Sequence, residues 1–317
     1  MNPAPLQLVL TFDAEADVFD ASIGASAGAD VWRGIEHGIP LIQEMLVAQT
    51  RAAGVPLLAT WFVRTDCEIA AQHGDAAHLL RRYDALWRAR QAAGDEIAFH
   101  PHLSRRAQGD VTGALLRSEI RDAHAAVQAA GYAPVSSRLG EAFGSNTAFA
   151  ALQESDFAAD STAMPGRVRH DAERSLDWSG TPARPYRPSL ADYRKPGHPV
   201  HDLWQVPMTM VPVRADYDTE PLARYVDLSF RPAALRAGLA AALANVPLLV
   251  TVTHPSTILP GIASRRHGLL SFEPSAFREN LGFIFSECAR LGRAVHSLTL
   301  AACARHCRVA GKPEMAA

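Results

Sequence analysis

Short apolar runs alternate with longer helical patterns along most of the chain, and no other feature restricts the possible folds as much. Leu6–Thr11 precedes a helical pattern near Ile35–Ala53, Leu57–Val63 one near Asp75–Ala92, and Ile97–His100 one near Thr112–Ala130. Apolar almost throughout, these runs suit strands buried on both faces, and the spacers between them suit the helical crossovers that parallel strands need. Ala158–Asp160 and Leu203–Val206 read as further short strands. Val246–Thr253 reads as a near-continuous β-branched one, with an amphipathic helix over Pro274–Leu291. The expected class is α/β with a parallel sheet.

With 317 residues, 48% of them apolar, the chain can bury a large core, and no domain boundary stands out, so a single domain over residues 1–317 is expected. The stretch 161–201 carries Pro165, Pro182, Pro185, Pro188, Pro196 and Pro199 among charged residues. It reads as an irregular insertion, of the kind that forms a lid or a substrate wall.

A formal charge of -2, with no Lys/Arg run longer than a pair, gives no footprint for nucleic acid or an anionic membrane. Met-Asn-Pro-Ala-Pro leads into Leu6–Leu10 without the basic segment and longer apolar core of a secretion signal. The longest apolar tract, Ala237–Val250, is broken by Asn245 and Pro247, so no membrane span is expected. Cys67, Cys288, Cys303 and Cys307 then read as reduced thiols, and the expected location is cytoplasmic. The spacing Cys303, His306, Cys307 reads as incidental on a helix.

In parallel α/β folds, ligands gather at the carboxyl ends of the strands, so polar residues there are the ones to collect. After the first run come Asp13 and Glu15, two apart and therefore on one face of an extended chain. After the third come His100 and His102, again two apart, with Pro101 favouring an extended residue before it. Two imidazoles and a carboxylate are ligand types that zinc and similar metals take, leaving a position for water. Arg138 follows a fourth strand-like segment and could orient a carboxylate and hold its pKa down. His254 ends the last strong strand, where an imidazole can act as a general acid. Each residue alone also fits an unremarkable strand end; their shared position at separate strand ends makes them candidates together.

The order of these residues resembles the polysaccharide deacetylase superfamily (NodB homology, carbohydrate esterase 4). Thr11-Phe12-Asp13 is similar to its opening motif Thr-Phe-Asp-Asp, and Leu57-Leu58-Ala59-Thr60-Trp61-Phe62-Val63 to its second-strand run. Asp95–His100 resembles the strand that presents the metal histidines, and Arg138-Leu139-Gly140 the third motif. Asp177-Trp178 resembles the aspartate-tryptophan motif of the groove, and Val252–Pro255 the segment of the final catalytic histidine. The resemblance spans roughly residues 6–300 and implies a distorted (β/α) barrel. It also implies hydrolysis of an N-acyl group, acetyl or formyl, on a carbohydrate, with a divalent metal ion such as zinc. Two positions depart from the pattern: the second aspartate is Ala14, and the histidine four residues after His100 is Ser104. Glu15 and His102 are then the implied replacements. Val31–Pro40 is similar to a deformylase acting on lipid-linked aminoarabinose, which hints at a lipid-carried or nucleotide-linked sugar.

The implied roles are Glu15, His100 and His102 as metal ligands, Asp13 as base, Arg138 as its orienting partner and His254 as general acid. Asp177 and Trp178 would shape the sugar pocket. Ala14 and Ser104 leave a second expectation open, a deacetylase-like fold without activity that binds carbohydrate or a protein partner. An amidohydrolase-type enzyme is disfavoured, since those place His-x-His on the first strand, where this chain has carboxylates.

Overall fold

Parallel strand pairing organises both compact units into which the chain divides, Met1–Ala59 with Thr209–Leu298 and Thr60–Met208 with Thr299–Ala317. In this computed structural model, residues 3–17, 32–170, 175–261 and 268–310 are described.

In the first unit, Leu6–Ala14 lies between Leu248–Thr253 and Val295–Ser297 and runs parallel to both. Leu8, Leu10, Phe12, Val250 and Val252 are all buried, as strands covered on both faces must be. The helices Ile39–Ala53, Pro232–Asn245 and Pro274–Arg290 bury Ile42, Leu239, Phe277, Leu281 and Ile284. The register sets Phe12 opposite Thr253, so the next residues along each strand, Asp13 and His254, emerge side by side at the carboxyl edge. An antiparallel hairpin, Met210–Val213 with Leu222–Tyr225, is an addition to the sequence reading; Pro212 within its first strand masks the pattern. Just beyond it, Val226 bridges to Thr251, which carries Asp227 to the same strand end.

In the second unit, Ala59–Arg64, Glu96–His100, Ser136–Ser137, Ala159–Asp160 and Trp204–Gln205 pair in that order, all parallel. Register pairs Phe99 with Ser137, which brings Arg138 beside His100. The helix expected over Asp75–Ala92 is two helices, His78–Arg82 and Asp84–Ala92, because Tyr83 leaves helical geometry at φ -113 and ψ 30. Cys67–His73 precedes them and ends on Gly74, whose φ of 79 suits a residue without Cβ. The stretch 161–201 is less irregular than its prolines suggest. It contains the antiparallel pair Val168–His170 and Ser175–Asp177, and its Trp178 is fully buried with Phe149 and Leu203.

Arg293 illustrates how the first unit is fastened. Nearly buried, its guanidinium donates to the carbonyls of Ala4, Leu243 and Val246, tying the entry to the first strand to the end of the Pro232–Asn245 helix. Replacing Arg293 by methionine strands these carbonyls and is expected to lower the unfolding free energy by about 3 kcal/mol. Urea unfolding with an unchanged slope would show it.

Candidate metal centre

His100 closes the Glu96–His100 strand and is only 3% exposed. Its Nδ1 lies 2.8 Å from the Arg138 carbonyl. A carbonyl can only accept, so Nδ1 carries a proton, and in the neutral ring Nε2 is then the nitrogen with the lone pair. His102 Nε2 faces His100 Nε2 at 3.3 Å, the two rings standing edge to face at 87°. Nitrogens each about 2.0–2.1 Å from one tetrahedral zinc are about 3.3–3.4 Å apart, so this pair fits a shared ion. The carbonyl behind His100 is the kind of partner that fixes the tautomer of a metal-binding imidazole.

Backbone groups hold the second ring. The His102 N–H donates to Asp66 Oδ2 at 3.1 Å, while Asp66 Oδ1 caps the Cys67–His73 helix through the N–H groups of Glu68 and Ile69. Arg64 Nε donates to the same Oδ2 at 2.7 Å. Gly140 lies flush against the imidazole, and a Cβ there would stand 2.1 Å from His102 Cδ2. Arg138-Leu139-Gly140 therefore serves the histidine pair through its main chain. The Arg138 guanidinium itself is buried, donating to the carbonyl and hydroxyl of Ser161 at 3.0 and 3.1 Å and stacking on Phe62 at 4.1 Å.

In the first unit, Asp13, Glu15 and His254 come together. His254 Nε2 is 3.1 Å from Glu15 Oε1 and 4.0 Å from Asp13 Oδ2. Burial by itself presses the imidazole toward neutrality, but the hydrogen bond and charge of Glu15, then Asp13 and Asp227, outweigh it and lift the pKa to about 9. In the metal-free protein these carboxylates favour the protonated imidazole. Asp227 is fully buried and accepts from the N–H and hydroxyl of Ser229, both at 2.8 Å. Burial raises its carboxyl, against the Ser229 bonds and the charge of His254.

Asp177 and Trp178 part company. Asp177 borders a shallow depression of about 350 Å³ with Asn146, Asp192, Tyr193 and Arg194, and pairs with Arg194. Its bonds to Ser179 hold the carboxyl below the usual range, with the Arg194 charge adding to them. Trp178, expected on the pocket surface, is instead 0% exposed, its Nε1–H donating to the Ala142 carbonyl at 2.8 Å. It buttresses the wall from inside, edge to face with Tyr193.

Asp66, Asp227 and the steric role of Gly140 escaped the sequence reading. Asp66 is detectable in principle as an N-cap directly after a strand, and Asp227-Leu228-Ser229 as an aspartate-initiated turn. Nothing in the sequence shows that either turn lies beside a candidate histidine.

No protein-family model and no curated protein matches the sequence. Solved structures do. A candidate polysaccharide deacetylase from Mycobacterium smegmatis superposes with a TM-score of 0.53 at 20% identity, covering 100% of this chain and 98% of its own. A candidate glycoside hydrolase/deacetylase from Parabacteroides distasonis gives 0.59 at 13% identity, covering 97% of this chain and 72% of its own. The chain has the polysaccharide deacetylase fold, the distorted (β/α) barrel implied by the motif order.

Two outcomes follow from this geometry. Asp66→Ala frees the backbone at His102 and is expected to weaken zinc binding on the order of 10-fold or more, read by competition with a chromogenic chelator. In metal-free protein, the raised His254 pKa contributes stability that is complete below the reference value of 6.5 and lost as pH climbs through about 9. The stability gap between wild type and His254→Gln should therefore close across that interval in urea titrations. A gap independent of pH would show that His254 is not held protonated.

Proposed function

We propose that this protein is a metal-dependent hydrolase that removes an N-acyl group, acetyl or formyl, from a carbohydrate. The observation that carries the reading is the His100–His102 pair, with its Nε2 atoms 3.3 Å apart and the His100 tautomer locked by the Arg138 carbonyl. Glu15 is proposed, from the order of the motifs, as the carboxylate that completes the set, which would give three protein ligands of types zinc accepts and leave a position for water. A divalent ion in such a set supplies Lewis-acid activation of the acyl carbonyl and of water.

The remaining steps belong to side chains. Asp13, buried to 5% exposure, accepts the proton released by the attacking water. Arg138 is proposed, from the order of the motifs, as the residue that orients Asp13. His254 is assigned to give a proton from Nε2 to the departing amine, the step an amide needs most because an amine anion is a poor leaving group. Asp227 sustains the imidazolium through its charge. Asp177, in its surface depression, is assigned to the sugar. The likeness in fold to the two deacetylase candidates supports this substrate class.

Metal analysis and amine release from N-acetylated and N-formylated sugars test the reading together. Wild type is expected to hold one equivalent of ion and release amine, and His100→Ala to lose both. His254→Ala should keep its ion while turnover falls about 10²- to 10⁴-fold. Stoichiometric ion without deacylation of any such sugar would favour a carbohydrate-binding role instead, and unchanged turnover in His254→Ala would remove His254 from the chemistry.

A further inference from the structure

Gly34–Gly38 forms a single turn of π-helix immediately before the Ile39–Ala53 helix. Such turns are rare and cluster at functional sites, because the extra residue re-aims the chain. Here both of its end residues are glycines in close approach to the turn Pro255–Ile258, which begins directly after His254. A Cβ at Gly34 would stand 2.7 Å from the Ser256 nitrogen, and one at Gly38 would stand 2.3 Å from the Pro255 carbonyl oxygen. Both obstacles are backbone, so no rotamer change could relieve them. Any side chain at either position must push the turn, and His254 with it.

The π-helix is itself tied to the end of the first strand. Asp17, two residues beyond Glu15 and 2% exposed, accepts the Gly34 N–H at 2.7 Å. Arg33 adds a bond from Nη2 to the Pro260 carbonyl at 3.2 Å, on the far side of the same turn. The turn is closed from within by Thr257, whose N–H and hydroxyl both donate to the His254 carbonyl at 2.9 and 2.7 Å. Strand end, π-helix and turn therefore form one clamp on the backbone of His254.

We propose that Asp17, Gly34 and Gly38 are positioning residues for His254: the Asp17 carboxylate anchors the π-helix, and the two glycines let it press on the Pro255-Ser256 backbone so that the imidazole is held at Glu15. This rests on the deacylase reading of the same site. Misplacement of a catalytic group by about 1 Å can cost on the order of 10²-fold in rate, so small displacements should be measurable.

The test uses two substrates that differ in their need for a general acid. An N-acetylated sugar requires protonation of its amine, whereas 4-nitrophenyl acetate releases a stable phenolate unaided. Gly38→Ala is expected to lower kcat on the amide on the order of 10²-fold, with KM and ion content little changed and ester hydrolysis unaffected. Asp17→Ala should behave likewise, and Asp17→Asn, which keeps the Oδ1 acceptor, should stay near wild type. Gly282→Ala is the control, because its nearest neighbour is Gln49 Oε1 at 3.9 Å. Equal losses on both substrates, or no loss on either, would overturn the proposal. If Gly38→Ala does not fold, the Asp17 pair decides. If wild type deacylates nothing, the reading of the site fails, but the clamp is still testable in the crystal structure of Gly38→Ala. His254 Nε2 withdrawn from its 3.1 Å contact with Glu15 would support the clamp, and His254 unmoved would overturn it.

Discussion

The hydrogen bond from His100 Nδ1 to the Arg138 carbonyl is the constraint on which the candidate metal centre depends. It exists because Phe99 pairs with Ser137 in parallel register, which fixes where the next residue of each strand can go. With Nδ1 donating, Nε2 is the nitrogen that the neutral ring can offer to a metal, and His102 brings a second nitrogen to 3.3 Å. Without that register the same two histidines would be interchangeable donors and acceptors on a loop. The motif Arg138-Leu139-Gly140 thus works largely through what its backbone permits: a carbonyl at one residue, and a missing Cβ at another.

The first unit solves a different electrostatic problem. A buried imidazole would ordinarily shed its proton, yet His254 sits with Glu15, Asp13 and Asp227, whose combined charge overcomes desolvation. The arrangement again follows from register, since Phe12 opposite Thr253 sets Asp13 and His254 at neighbouring strand ends. Each unit therefore uses the same device, in which its own parallel strands end together and present their next residues at their carboxyl ends.

The first three strands, the last long strand and its helix could be read because buried parallel strands and amphipathic helices leave periodic apolar patterns. Asp13, Glu15, His100, His102 and His254 could be singled out because each follows such a strand. What escaped was set by tertiary contact. Trp178 looked like a surface aromatic, but its indole N–H finds a carbonyl in the interior, and pattern alone does not reveal that partner. The short hairpins around Pro212 and within 161–201 carry too few residues for a period to emerge. Asp66 and Asp227 do their work through backbone bonds and charge to residues distant in sequence, and Gly34 and Gly38 through clearances that only the folded chain defines.

A crystal structure of the zinc-loaded protein, with anomalous scattering at the zinc edge locating the ion, tests the proposed ligand set. A single strong site is expected within about 2.0–2.2 Å of Nε2 of His100, Nε2 of His102 and a Glu15 oxygen. An ion bound elsewhere, or these two histidines facing each other across an N–H···N bond with no zinc between them, would contradict it.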